Sequence, residues 1–369
     1  MKKVVIAAAV AGAFAATSAM AADLKTSIYW SQAISVGETT TTDAAGLDTT
    51  VNDDTIADGG GNQLNMTWTD TLDNGIGLIA NLSFGIASTS GDPTAGGTGL
   101  SNITGRNSYV GFTGDFGTVK VGTNEHFAET DLIFDPNFAD YAGSDPLGFI
   151  QMGITGFSFT RFDNDSIWWN SKPMNNFSAK AALITGKTGT TGVDPAGTQV
   201  GLDYAAGPLK VGISQATYED YDDAGTGTAA VAGTEAQMTT IHGSYDAGLV
   251  VIKVGAWSIE QSGTTTEATI NGYEVDGRAI YVGMPVGGGT LWAQTSSLGD
   301  RDATTTATGV TAAVAQSGKD GVSFGYIMPM NANVNMFARY NDVDTDVNFD
   351  ATAGSTNSES ILFGWQLAY

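Results

Sequence analysis

The sequence predicts an all-β chain, a transmembrane antiparallel β-barrel of sixteen strands. Three observations carry that reading. Segments of about ten residues with apolar and polar side chains in alternation recur along the chain, the period that a pleated strand imposes. The stretches between them alternate between tight turns and long polar connections, as in a barrel with short turns at one rim and long loops at the other. Beyond the opening residues, no run reaches the roughly 18 consecutive apolar residues of a membrane helix. Strands in lipid must pair every backbone group, and only a closed barrel does so.

The opening MKKVVIAAAVAGAFAATSAMA joins two lysines to a short apolar run and an Ala19-Met20-Ala21 ending. This is the pattern of an export signal over residues 1–21, leaving 22–369 as a single barrel domain. The chain has no cysteine. Its stability must come from backbone pairing and packing, and thiol chemistry and cysteine-ligated metals are excluded. Its 39 acidic residues outnumber 15 basic ones, for a net charge of −24, which excludes nucleic acid as a partner. A hydrophobic content of 42% is too high for a disordered acidic chain.

In order, strands are expected at 24–35, 62–70, 75–87, 105–113, 117–123, 164–171, 176–186, 197–205, 208–219, 235–246, 248–259, 274–284, 289–298, 318–328, 333–342 and 358–369. Tight turns fall at Asp73-Asn74-Gly75, Gly114 to Gly117, Asn175-Asn176, Gly207-Pro208, Asp246-Ala247-Gly248 and Gly287-Gly288-Gly289. The long polar connections are 36–61, 220–234, 299–317 and 343–357.

The last strand is the clearest. Ile361, Phe363, Trp365, Leu367 and Tyr369 share one greasy face opposite Leu362, Gly364, Gln366 and Ala368. Phe363, Trp365, Leu367 and Tyr369 therefore read as a membrane-insertion signal for the outer-membrane assembly machinery. A lysine or arginine on the lipid face at mid-depth costs about 2–4 kcal/mol. Lys120, Lys180, Lys210, Lys253, Arg278 and Arg339 are thus expected to point inward.

One stretch breaks the pattern. Between Asn124 and Asp163 the chain is aromatic, acidic and without a helical period, too long for an ordinary connection. The reading is a constriction loop, about 124–163, folded into the lumen. Its acids Glu125, Glu129, Asp131, Asp135 and Asp140 are the candidates for the narrowest point, with Asp131, Asp135 and Asp140 in its middle.

Several motifs carry no chemistry. Gly321-Val322-Ser323-Phe324-Gly325 spells a hydrolase elbow but continues as strand rather than helix. Asp115-Phe116-Gly117 is a turn. Glu125, His126 and Glu129 lack a further strong metal ligand. Asp342, Asp344 and Asp346 open like a calcium loop, yet Val347 stands where glycine is needed. No catalytic residue, metal site or cofactor is expected, with loose divalent-cation binding by the acidic loops left open.

Three places resemble the Gram-negative general porin family: Gly105 to Gly122, Arg161 to Pro173 (RFDNDSIWWNSKP), and the terminal strand. The resemblance implies a homotrimeric channel in the outer membrane of a Gram-negative bacterium, in contact with lipid and lipopolysaccharide. It also implies an eyelet in which loop acids face wall arginines and lysines. Arg106 and Arg161 take such positions, while Gln63 and Thr123 stand where further basic residues would be expected. Together with Lys120, Lys253, Arg278 and Arg339 they would form the basic pore wall. The function so implied is passive diffusion of small hydrophilic solutes and ions, with cation selectivity from the acid-rich loop. A solute-specific porin, such as one for sugars with Trp168 and Trp292 in the lumen, is the alternative. A secreted β-rich adhesin is a third.

Overall fold

The structure, a computed structural model, describes residues 23–43, 45–58, 62–86, 103–132, 134, 146, 162–185, 196–219, 235–262, 272–299, 302–303, 318–347 and 354–368. The strands follow one another as β1 (Asp23–Thr42), β2 (Asp48–Asn52), β3 (Thr55–Asp58), β4 (Gln63–Thr71), β5 (Gly77–Ile86), β6 (Ile103–Gly105) and β7 (Ser108–Gly114). Then come β8 (Gly117–Glu125), one short helix α1 (Phe127–Asp131), β9 (Phe162–Asn170), β10 (Phe177–Ile184), β11 (Ala196–Ala206), β12 (Leu209–Glu219) and β13 (Glu235–Asp246). The chain closes with β14 (Val251–Ser262), β15 (Gly272–Val286), β16 (Gly289–Leu298), β17 (Asp302–Ala303), β18 (Lys319–Pro329), β19 (Val334–Val347) and β20 (Gly354–Ala368).

They form one closed antiparallel barrel of 16 strands. Three pieces, β2, β3 and β4, run in line along one side of β1, and β6 with β7 along β5. From β7 onward each strand pairs with the next, β17 extending the edge of β15, until β20 returns to β1 from Tyr29↔Ala368 to Thr42↔Ser355. Every expected strand has its counterpart. Two expected loops are largely strand instead. β1 runs to Thr42 and comes back as β2 and β3 within the 36–61 stretch, and β19 and β20 extend into 343–357. Their threonines suit a strand, but polar side chains on both faces hide the hydrophobic alternation that would announce one.

The tight turns take left-handed backbone. Asn175 and Asn176 have φ of 49° and 72°, and Gly287 and Gly288 have 59° and 88°, the geometry of a two-residue hairpin turn that glycine and asparagine tolerate.

Alternation divides every wall strand into two faces. In β13, Ala236, Met238 and Thr240 are buried while Ile241 is 55% exposed. Outward-facing Leu202, Ile213, Ile241, Val254, Ile280 and Phe363 make an apolar belt, which in water would be a liability and in lipid is satisfied. The terminal strand follows this division. Phe363 and Trp365 are exposed on the lipid face, Leu362 and Gln366 are buried inward, and Tyr369 lies outside the described residues.

Of the basic residues expected inward, Arg278 is the exception. It shares the outward register of β15 with Ile280 and Met284, while Val275, Ala279 and Tyr281 are the buried inward set. The mid-depth penalty does not apply to it. Arg278 pairs with Ser297, next to the end of β16 on the long-loop side, eight residues above the Val286↔Gly289 turn.

Candidate functional site

The inward face of β10 to β14 receives the start of the acidic connection. Three glycines shape that wall. A Cβ at Gly201 would meet the Lys180 side chain, one at Gly212 would meet both Asp203 and His242, and one at Gly255 would come 2.5 Å from Leu132 Cδ2. Because Asp203↔Gly212 and Gly212↔His242 are cross-strand partners, Asp203 and His242 lie two strands apart. They can converge only over a residue without a side chain.

Onto this wall comes α1. His126 caps it, Nδ1 accepting the Ala128 N–H at 3.0 Å. Burial, followed by the nearby Lys180 charge, holds the His126 imidazole down at about 3, so it is neutral and able to accept. Phe127 N–H donates to Gln199 Oε1 at 2.9 Å, and the Phe127 ring meets Trp168 edge-on at 4.6 Å. Gln199 also donates to Asp163, which accepts the Tyr218 hydroxyl at 2.7 Å. One glutamine thus ties the departing and returning ends of the connection to the same point of the wall. Asp163 itself belongs to β9 and is 2% exposed, so the connection is shorter than 124–163 and this acid is wall rather than loop.

Further along, Asp131 enters a polar cluster. Its Oδ1 lies 2.5 Å from Lys180 Nζ, and its Oδ2 accepts the Ser214 hydroxyl at 2.8 Å. Lys180 reaches Asp203 at 3.4 Å. His242 stands between the two carboxylates, Nε2 at 3.3 Å from Asp203 and Nδ1 at 3.6 Å from Asp131. Beyond α1, Leu132 and Phe134 are buried in one apolar cluster with Trp168, Trp257, Tyr281 and Trp292, and Lys253 Nζ donates to the Phe134 carbonyl at 3.2 Å.

Asp131, Asp203 and His242 bring three potential ligand atoms within 4.8 Å of one another. The Lys180 ammonium already occupies the cationic position among them, so the donor set is better matched to its own lysine than to a metal.

Asp131 does not face open water: its side chain is 6% exposed and neutralised by Lys180. Glu125 ends β8, half-buried. Asp135, Asp140 and Arg161 lie outside the described residues, as does the Glu129 side chain. Arg106 is 9% exposed, its N–H on the Ser83 carbonyl at 2.9 Å. Lys120 lies 4.5 Å over the Tyr109 ring. Arg339 points inward but is 2% exposed, bonded through Nε to Asn341 and 5.4 Å over Trp292. Lys210 shares the inward register of β12 near its turn end. Trp168 and Trp292 face inward yet are packed away, under α1 and against Tyr281.

Sequence reasoning missed Gln199, Ser214, Tyr218, Asp203 and His242. A signal was present. Asp203 and His242 fall on the inward register of two expected strands, either side of a glycine in a third.

By sequence, no curated protein matches the chain. Among solved structures, an anion-selective porin from Comamonas acidovorans superposes with a TM-score of 0.67 at 16% identity, covering 94% of this chain and 100% of that one. The trimer form of OmpT from Vibrio cholerae gives 0.64 at 14%, covering 95% and 100%. The outer membrane channel DcaP of Acinetobacter baumannii gives 0.57 at 9%, covering 93% and 97%. These likenesses concern the fold. A family model, Gram-negative porin, matches residues 7–361. With barrel closure, lipid-facing belt and a matched family model over nearly its whole length, the chain belongs to the Gram-negative porins, channels of the outer membrane.

Proposed function

We propose that this porin is a passive, water-filled diffusion channel for small hydrophilic solutes and ions, assembled as a homotrimer and narrowed by the connection from β8 to β9. Residues 1–21 act as the export signal, and Phe363, Trp365, Leu367 and Tyr369 direct insertion through the assembly machinery into a membrane of lipid and lipopolysaccharide. The carrying observation is the seating of residues 126–132 and of Phe134 on inward-facing side chains, from Gln199 to Lys253. A segment held there takes cross-section from the pore, and size exclusion follows. The alternative of a solute-specific pore loses its support, because Trp168 and Trp292 are 5% and 2% exposed and offer no aromatic surface to a passing sugar.

For charge, the proposal is a cation preference carried by Glu125, Glu129, Asp135 and Asp140 and not by Asp131. Several wall cations are committed: Lys180 to Asp131 and Asp203, Arg339 to Asn341 and Trp292. Arg106, Lys120, Lys253 and Arg161 are proposed as the opposing basic side, Lys253 with one bond on the Phe134 carbonyl. Charges at a narrow, low-dielectric constriction keep their effect where distant ones are screened within about 8 Å. The test is a planar bilayer under a salt gradient. Stepwise conductance with a cation-directed reversal potential is expected. An anion-directed potential would overturn the charge assignment alone, and absence of conductance from folded trimer would overturn the channel.

A further inference from the structure

We infer that Asp203 and His242, together with Lys180 and Ser214, form a proton-responsive clasp on Asp131 that positions α1 against the barrel wall. The inference rests on the reading of the connection from β8 to β9 as the segment that narrows the pore.

The geometry carries it. Among the described side chains of α1, Asp131 is the charged one that meets the wall, and four groups from four strands converge on it or on its partners. β10 supplies Lys180, β11 Asp203, β12 Ser214 and β13 His242. The strand next in line, β14, presents Gly255 beside His242, and its Lys253 is turned to the Phe134 carbonyl. His242 therefore faces two carboxylates and one ammonium. With its imidazole neutral, the four titratable groups sum to one negative charge. With a proton on each nitrogen they sum to zero, and each N–H has a carboxylate in front of it, at 3.3 Å and 3.6 Å. Gly212 is the enabling element, since a side chain there would fill the space in which Asp203 and His242 approach.

Two histidines touch this segment, and they respond to acid in opposite senses. His126 is buried and neutral at the cap, so acid works against the seated α1. His242 gains two charge-assisted contacts on protonation, so acid works for it. The clasp thereby keeps the segment seated where His126 alone would release it.

The experiment is backbone hydrogen exchange on the intact trimer in detergent, read at the amides of 127–132 and corrected for the intrinsic pH dependence. Wild type is compared with His242→Gln and, independently, with Asp203→Asn. The protection ratio of wild type to either variant is expected to rise by about fivefold between pH 8 and pH 5.5, the upper end for a partly exposed ion pair. A ratio that stays flat in both variants overturns the clasp. If His242→Gln fails to fold, Asp203→Asn gives the same reading. Single-channel recording at neutral pH separates the two claims. A conducting protein with a flat ratio loses the clasp and keeps the pore, whereas a rising ratio in a non-conducting trimer keeps the clasp and overturns the pore.

Discussion

Lys180 and Asp131 stand 2.5 Å apart across the inner wall, their side chains 10% and 6% exposed. Removing Asp131 leaves the enclosed Lys180 ammonium with Asp203 alone at 3.4 Å, at a cost of about 1.5–3 kcal/mol for the lost charged hydrogen bond. Asp131→Asn should therefore lower the unfolding temperature of the trimer on heated electrophoresis. Adding Lys180→Met should recover part of the loss. Equal losses from the single and double variants would show that the two residues do not act as a pair.

His126 sets an acid limit. Its imidazole holds at about 3 when buried, against an ordinary value of 6.5. The released state therefore binds the proton more readily. The stabilising contribution of the cap is full above pH 6.5 and is lost progressively as the pH falls toward about 3. His126→Gln should flatten that loss in the hydrogen exchange of 127–132, and an unchanged acid profile would contradict the assignment.

Gly212 tests the space between Asp203 and His242. Gly212→Val should cost about 1–3 kcal/mol by overpacking and should loosen α1 as the loss of Asp131 does. Gly243→Ala is the control, because a Cβ there finds its nearest neighbour at 3.5 Å, an ordinary contact. The two variants showing the same exchange at 127–132 would remove Gly212 from the argument.

Arg278 and Arg339 should part company. Arg278→Leu, on the outward face, should change urea stability in lipid vesicles by no more than about 0.5 kcal/mol. Arg339→Leu removes one of two donors to the buried Asn341 Oδ1, leaving the Ser323 hydroxyl at 2.9 Å, and removes the stack on Trp292, and should cost about 1–2 kcal/mol. A larger loss at 278 than at 339 would reverse the facing assigned to β15 and β19.

Deleting Gln366 to Tyr369 removes the pairs Gln366↔Ser31, Leu367↔Trp30 and Ala368↔Tyr29, where the last strand closes onto the first. The truncated chain should accumulate in the periplasm, with no heat-modifiable trimer. Normal amounts of folded trimer in the outer membrane would show that closure and insertion do not need these residues.

How far these features could be read from the sequence differs by kind. The faces of β13, β14 and β20 were legible because alternation is local: Ile241, Val254 and Phe363 differ from their neighbours by one step of the pleat. The upper halves of β1, β19 and β20 were not, because Thr39 to Thr42 and Asn357 to Glu359 are polar on both sides and register there comes from pairing alone. Arg278 was misjudged on an energetic rule that holds at mid-depth, and strand parity overrules it.

What the sequence determined by itself is the barrel: strand number, turn positions, the apolar outer face and the existence of one exceptional connection, all consequences of period and composition along the chain. What only the tertiary structure decided is which charges meet. Asp131, Lys180, Asp203 and His242 are separated by up to 111 residues and come together because barrel register lines up Asp203, Gly212 and His242 on adjacent strands, with a glycine leaving room for the other two. The inward parity of Asp203 and His242 is legible along the chain, but which residues face one another is set by register around a closed wall and not by distance along the sequence.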